Sequence, residues 1–367
     1  MGKLKRAIGL MSGTSMDGID VAMIETDGQA VLRRGPGFTY PYSTAFREHL
    51  REAVAVARSM TQRDARAGVV RVAENYLTDL HAEAVAHFIE DTKSSRDGID
   101  VIGMHGHTVL HAPERRLTVQ IGDGARLARA TGIAVVHDMR AADVAAGGQG
   151  APLVPVYHQA LAIQLGKRPM AFVNIGGVAN VTYIGRHGEL IAFDTGPGNA
   201  LIDDWMRAHA GVAYDADGET ALNGRADELV LTDALAAHYF AVSPPKSLDR
   251  GAFDIRICAR LGLADGAATL AAFTARSIAR AREHFPEEPA LWVVAGGGRR
   301  NRAIMTALAA RVENAVVPVE AVGLDGDAME AEAWAYLAVR CLEGLPLTFP
   351  GTTGVGGPTP GGVLARP

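Results

Sequence analysis

Apolar residues at 7–11, a turn rich in Gly, Ser and Thr, and a second apolar stretch at 19–26 predict a β-hairpin with an unusually polar connection. Phe46, Leu50, Val54 and Ala57 recur at helical spacing over 44–58, and Val69, Ala73, Tyr76, Leu77, Leu80, Ala84 and Phe88 do so over 65–91. Short apolar runs at 99–104 and 133–136 read as buried strands, with His105 following the first and His137 and Asp138 the second. The second half follows a similar plan. Strands are predicted at 170–175, 178–184 and 189–193, a helix after Gly198, and longer helices over 219–240 and 265–285. A strand at 291–295 runs into Gly296, Gly297 and Gly298, and a strand at 315–319 and a helix at 328–343 close the regular part. Strands alternating with helices place the chain in the α/β class. Each half opens strand, glycine turn, strand, the pattern of a duplicated α/β lobe with a cleft between the copies. Gly and Pro crowd AAGGQGAPLVP at 145–155, which sets the expected lobe boundary, and the Gly/Pro/Thr-rich tail 348–367 is expected to be coil.

The 367 residues, 48% hydrophobic and 21% charged, suffice for two ordinary domains with a sizeable core. A net charge of −5 argues against a binder that works by neutralising nucleic-acid phosphates. None of the lysines (Lys3, Lys5, Lys93, Lys167, Lys246) lies in a Walker-type phosphate loop. Cys258 and Cys341 share no metal-like spacing and read as reduced thiols. The apolar run at 7–11 is too short for a signal-peptide core, and no run of about 18 apolar residues exists to span a membrane, so a cytoplasmic protein is expected.

Three glycine turns follow predicted strands, where ligands of α/β sheets gather. In GLMSGTSMDGID (9–20), Gly13 and Gly18 would let backbone approach a ligand, and Ser12, Thr14 and Ser15 add hydroxyl donors. Asp17 and Asp20 are carboxylates that could hold Mg²⁺, a combination suited to a nucleoside triphosphate; a merely polar hairpin accounts for the composition equally well. NIGGVANVT (174–182) and AGGGRRNRA (295–303) are the other two turns. In AFDTGPGNALIDDW (192–205), Asp194 is placed at a strand end as a candidate general base, with Asn199 a candidate cap for the next helix. MHGHTVLH sets His105 and His107 in an H-x-H, which fits hydrogen bonding to a polar substrate, structural roles, or two ligands of a metal-dependent hydrolase.

Taken together and in order, these segments resemble the anhydro-N-acetylmuramic acid kinase family over nearly the whole chain. GLMSGTSMDGID and FDTGPGN are the most specific, with support from HGHTVLHAP, HDMRAADVAAGGQGAPLVP, NIGGVANVT, AGGGRRN and GDAMEAEAWAYLA. Met16 stands where the family usually has Leu, and His107 where it usually has Gln. The resemblance implies a two-lobed sugar kinase/heat-shock chaperone/actin-like ATPase fold with an interlobe cleft. Lobe one would be 1–145 with 328–367 packing back on it, and lobe two 146–327. It implies ATP- and Mg²⁺-dependent opening of the 1,6-anhydro ring and phosphorylation of O6, giving N-acetylmuramate 6-phosphate and ADP in peptidoglycan recycling. It places the catalytic carboxylate on Asp194 and the ATP-phosphate loop on Gly13, Thr14, Ser15, Met16, Asp17, Gly18, Ile19 and Asp20. Further nucleotide contacts fall on Asn174, Gly176, Gly177, Asn180, Gly296, Gly297 and Gly298. Sugar contacts fall on His105, His107, Arg140 and Glu330, and a homodimer is suggested. A kinase of another anhydrosugar and a non-catalytic nucleotide-binding module on the same fold remain the alternatives beside the hydrolase.

Overall fold

A computed structural model describes residues 3–13, 15–66 and 68–367. In chain order it begins β1 (Lys5–Met11), β2 (Gly18–Thr26), β3 (Leu32–Pro41), α1 (Thr44–Ala57) and α2 (Gly68–Asp91). Next come β4 (Val101–Met104), β5 (His107–Ala112), β6 (Leu117–Ile121), α3 (Gly124–Thr131), β7 (Val135–His137), α4 (Ala141–Ala145) and α5 (Pro155–Leu165). There follow β8 (Met170–Ile175), β9 (Val178–Ile184), β10 (Leu190–Pro197), α6 (Ala200–Ala210), α7 (Glu219–Leu222), α8 (Glu228–Leu235), α9 (Leu263–Ala279), β11 (Leu291–Ala295), α10 (Arg302–Ala309) and β12 (Ala315–Pro318). The chain ends with α11 (Met329–Leu342), α12 (Pro350–Thr353) and β13 (Val363–Ala365). No helix among the described residues is long and apolar enough to cross a membrane.

The chain divides into two compact units, one running to Gln164 and resuming with Asp327–Pro367, the other Leu165–Gly326. The first holds a sheet of order β13-β7-β4-β1-β2-β3, the second a sheet of order β10-β9-β8-β11-β12. In the first unit β1 is antiparallel to β2, β2 to β3, and β1 is parallel to β4, which is parallel to β7. In the second, β8, β9 and β10 repeat the antiparallel meander, and β8, β11 and β12 repeat the parallel run. The same strand order and sense in both units are what a duplicated lobe produces.

The central parallel strands β4 and β11 are buried along their whole length, as strands covered on both faces must be. In the first unit Ile8, Leu10, Phe46, Leu50, Leu77 and Phe88 share one core. On the other face α11 lies so close to the sheet that a Cβ at Gly9 would sit 1.8 Å from the Ala331 carbonyl oxygen, and one at Gly103 2.1 Å from that of Trp334. The second core gathers Trp205, Phe273 and Trp292.

The structure departs from the expectations in identifiable places. Residues 146–164 belong with the first unit, not the second, because side chains tie them there. The Asp143 carboxylate accepts the Gly150 N–H and the Thr353 hydroxyl, both at 2.6 Å, and the Tyr157 hydroxyl donates to Glu332. The stretch 219–240 is broken, since Asp227 caps a separate helix by accepting the Leu229 and Val230 N–H groups. The tail is not simple coil: Val363–Ala365 pairs with β7. Strand β3 passed unread because RRGPGFTYP carries the Gly and Pro that mark turns, residues an edge strand tolerates.

Candidate functional site

In the first unit the hairpin register sets Met11 opposite Asp20, and residues 12–17 connect the end of β1 to the start of β2. Thr14 lies outside the described residues. Met16 adopts the left-handed region at φ +55° and donates its N–H to the Gly13 oxygen at 3.1 Å. Around Gly13 there is room: the nearest atom to a Cβ there would be Ser15 Oγ at 3.6 Å. Gly18 is small for another reason than a ligand, because a Cβ there would lie 2.5 Å from the Tyr40 carbonyl oxygen of β3. Ser15 donates to Asp17 at 2.8 Å and Thr39 to Asp20 at 2.6 Å. Burial pushes the half-buried Asp20 carboxyl up, and repulsion from Asp17 and Asp327 adds to it.

Both histidines of the H-x-H meet at Ser12. His105 follows β4, and its Nδ1 donates to the Ser12 carbonyl oxygen at 3.1 Å. Its Nε2 accepts from Arg140 at 3.2 Å, which fixes the neutral tautomer, since a guanidinium only donates. Burial, then the Arg140 charge, hold His105 well below the usual histidine range. His107 is fully buried, with Nδ1 3.0 Å from Ser12 Oγ, and Ser12 Oγ accepts the Tyr42 hydroxyl at 2.8 Å. His107 is pulled down to about 4 by burial. It lies inside the first unit against Ser12 of the hairpin turn; the resemblance groups it with the sugar contacts. Among the described residues no group of three or more His, Cys, Asp and Glu side chains is gathered to hold a metal. The two Nδ1 atoms of the H-x-H are engaged at Ser12, so the hydrolase alternative finds no ligand set.

Arg140 donates to the Gly150 oxygen at 2.9 Å, and its guanidinium lies 5.3 Å from the Trp334 ring centre. Burial draws it down to about 10, opposed by Glu330 and Asp143, so it remains a cation. Surrounding protein and Asp20 push the Glu330 carboxyl up, and Arg140 holds it down. Trp334 carries both neighbours, with the His105 ring 4.6 Å from its own. Sequence reasoning missed Trp334, Ser12 as a junction and Tyr42. The i+4 step from Glu330 to Trp334 on α11 was the available signal.

In the second unit the register gathers residues distant in sequence. Asn174 stands opposite Asn180, and Asn180 opposite Asp194, so the three side chains form a row on one face across β8, β9 and β10. Ala295 continues the row on β11. Asp194 does not end its strand: β10 runs on to Pro197, with a register shift between Asp194 and Gly196. Burial raises the half-buried Asp194 carboxyl to about 6, against the opposing Leu248 N–H, which donates to Oδ2 at 2.8 Å. Asn199 does not cap α6 with its side chain but donates to the Ile175 oxygen at 3.1 Å. The triple glycine packs on that same turn. A Cβ at Gly296 would lie 2.3 Å from Asn174 Oδ1, and one at Gly298 2.3 Å from Ile175 Cγ2. Gly176 is open, with no atom nearer than 3.6 Å to a Cβ.

A family model described as Anhydro-N-acetylmuramic acid kinase matches residues 5–365. A protein of that name from Methylobacterium nodulans (strain LMG 21967 / CNCM I-2342 / ORS 2060) is 53% identical over 373 residues, covering 99% of this chain and 100% of its own length. Another from Brucella canis (strain ATCC 23365 / NCTC 10854 / RM-666) is 52% identical with both chains covered in full. The chain belongs to the anhydro-N-acetylmuramic acid kinase family. Membership of this family makes it a kinase, with ATP as its phosphoryl donor. Among solved structures, component A of the Acidaminococcus fermentans (R)-2-hydroxyglutaryl-CoA dehydratase is similar at 11% identity and a TM-score of 0.49, over 91% of this chain and 99% of that one.

Proposed function

We propose that this chain uses ATP and water to convert 1,6-anhydro-N-acetylmuramate to N-acetylmuramate 6-phosphate, and that Asp194 is the general base. The observation that carries the reading is the Asp194 carboxylate itself: half-buried, raised to about 6, and held through Oδ2 by the Leu248 N–H, with Oδ1 left to accept a proton. A base whose acid form titrates near the working pH is well matched to taking a proton from water.

Asp194 Oδ1 takes a proton from a water molecule as that water's oxygen bonds to C1 of the sugar. The C1–O6 bond breaks, and O6 keeps its electron pair. O6 then bonds to the γ-phosphorus, and the bond to the β–γ bridging oxygen breaks to release ADP. Positioning and electrostatic stabilisation carry this kind of transfer.

In the first unit we assign the phosphates to the turn of Gly13 and Ser15–Asp20, and the sugar to His105, Arg140 and Glu330. Arg140 is the cation suited to the lactyl carboxylate of the substrate. In the second we assign nucleotide contacts to Asn174, Gly176, Gly177, Asn180 and Gly297. Asp17 and Asp20 fit a Mg²⁺ ion shared with the phosphates, because their mutual repulsion is what a cation relieves. When bound, that ion neutralises charge on the transferring phosphoryl group. An ATP-fed reaction on a wall fragment points to the cytoplasm and to peptidoglycan recycling.

The test is incubation with ATP, Mg²⁺ and 1,6-anhydro-N-acetylmuramate in ¹⁸O-water, with mass detection. The expected product is heavier by water plus one phosphoryl group, with the label on the sugar at C1. A phosphorylated product that still contains the anhydro bridge, or turnover confined to other anhydrosugars, would overturn the proposal.

A further inference from the structure

β10 is the open edge of its sheet, and Asp194 sits on that edge where the ladder to β9 slips. A bulged edge residue is poorly held by its own sheet, because its outward N–H and C=O lack a strand partner. Here one segment, 239–248, supplies what the sheet does not. The Asp194 N–H donates to the Lys246 oxygen at 3.1 Å, the Asp194 carbonyl oxygen accepts the Tyr239 hydroxyl, and Oδ2 accepts the Leu248 N–H at 2.8 Å. The segment is braced in turn. Lys246 Nζ donates to the Tyr239 oxygen at 3.1 Å and stands 4.7 Å from the Tyr239 ring centre and 5.7 Å from that of Phe193, the residue before Asp194.

We infer that Tyr239 is a positioning residue for Asp194, fixing through its hydroxyl the peptide plane that aims the carboxylate, with Lys246 holding Tyr239 in place. The inference rests on the reading of Asp194 as the base. The phenol is suited to the task because burial and the Asp194 charge keep it protonated, hence a donor, at every working pH. The main-chain grip acts on Asp194 from one end and the Leu248 amide from the other, so the free oxygen, Oδ1, has a defined direction. Misplacing a reacting group by about 1 Å is enough to cost about two orders of magnitude in rate.

The test compares Tyr239→Phe with Asp194→Asn in the full chain. Phe keeps the ring against Lys246 and Phe240 and removes only the donor. The expected result is a kcat about tenfold lower, a KM for ATP within about twofold of the unaltered chain, and a thermal midpoint lower by no more than the loss of one hydrogen bond accounts for. Lys246→Met, which frees Tyr239 without removing its hydroxyl, carries the same test should the Phe variant be unstable, and is expected to lower kcat by a smaller factor with KM again held. An unaltered kcat in Tyr239→Phe beside an inactive Asp194→Asn overturns the positioning role and leaves the base in place. Losses of kcat, ATP binding and thermal midpoint in parallel also overturn it, as the mark of a purely structural tyrosine. Near-normal turnover in Asp194→Asn instead removes the base, and with it the reading on which the inference stands.

Discussion

The backbone N–H of Leu248 donates to Oδ2 of Asp194 at 2.8 Å across 54 residues of chain. An asparagine at 194 can keep that bond through its amide oxygen, so Asp194→Asn removes the proposed proton acceptor without removing the anchor. Its kcat is expected to fall by about three orders of magnitude, with affinity for a non-hydrolysable ATP analogue retained. The fold should not suffer. The carboxyl is raised from 3.8 to about 6 in the folded chain, so the folded form binds more protons between those values and stability falls as pH rises through them. The neutral amide escapes that loss, and its thermal midpoint at pH 7.5 should equal or exceed that of the unaltered chain. A kcat near normal would refute the assignment.

His107 makes a prediction against its own sequence context. Its Nδ1 faces Ser12 Oγ at 3.0 Å, while its buried Nε2 has no partner. His107→Gln retains a side chain able to hydrogen-bond Ser12 and is expected to leave both KM values within about threefold. His107→Ala leaves Ser12 without that partner and opens a cavity, which costs about 2–4 kcal/mol. Urea unfolding and separate KM measurements for ATP and sugar check this. A rise in sugar KM alone, with stability unchanged, would return His107 to the sugar contacts.

How much of this was legible beforehand depends on what each residue's neighbours are. The strands of the second meander could be read residue by residue, because MAFVNI and VANVTYI are apolar runs bounded by a Gly-Gly turn. Asp194 could be picked from its Gly-Pro-Gly context. Its row with Asn174 and Asn180 depends on register, which no local pattern prints. The face of α2 was misjudged for a related reason. Tyr76 is 44% exposed, while Glu74, Thr78 and His81 are buried, because Arg66 pairs with Glu74 and the Thr78 hydroxyl receives the Asp123 N–H. Helical spacing alone cannot say that polar side chains will be satisfied by partners 45 residues away. The clamp on Asp194 by Tyr239 and Lys246 was invisible on the same grounds.

A pH series separates the buried histidine from the rest of the fold. His107 is neutral in the folded chain, at about 4, and titrates near 6.5 once unfolded. Below 6.5 the unfolded chain binds the extra proton, so stability contributed by neutral His107 is lost as pH falls toward 4. Going from pH 7.5 to 5.5, that single group should cost about 1 kcal/mol. His107→Gln should therefore lose about that much less than the unaltered chain over the same interval, measured by urea unfolding at each pH. Equal losses in both would mean that position 107 is charged or solvated in the folded state.

The choice between Asp17 and Asp20 as the more important partner of the proposed Mg²⁺ ion turns on how each carboxylate is held. Asp17 is exposed, and one of its oxygens takes the Ser15 hydroxyl. Asp20 lies within β2, half-buried, aimed by the Thr39 hydroxyl at 2.6 Å and pushed up by burial and by Asp17 and Asp327. A carboxylate already desolvated and oriented gives up less freedom on meeting a cation than one free in water. Asp20→Asn keeps the Thr39 bond and removes the charge. It is expected to raise the Mg²⁺ concentration for half-maximal activity about tenfold at fixed ATP, with excess Mg²⁺ restoring part of the rate, while Asp17→Asn shifts it by less. Chelation of Mg²⁺ should abolish turnover, and its return should restore it. Calorimetric titration of a non-hydrolysable ATP analogue with and without Mg²⁺ gives the same comparison without catalysis. If Asp20→Asn binds the analogue with an unaltered Mg²⁺ dependence, the ion is held elsewhere.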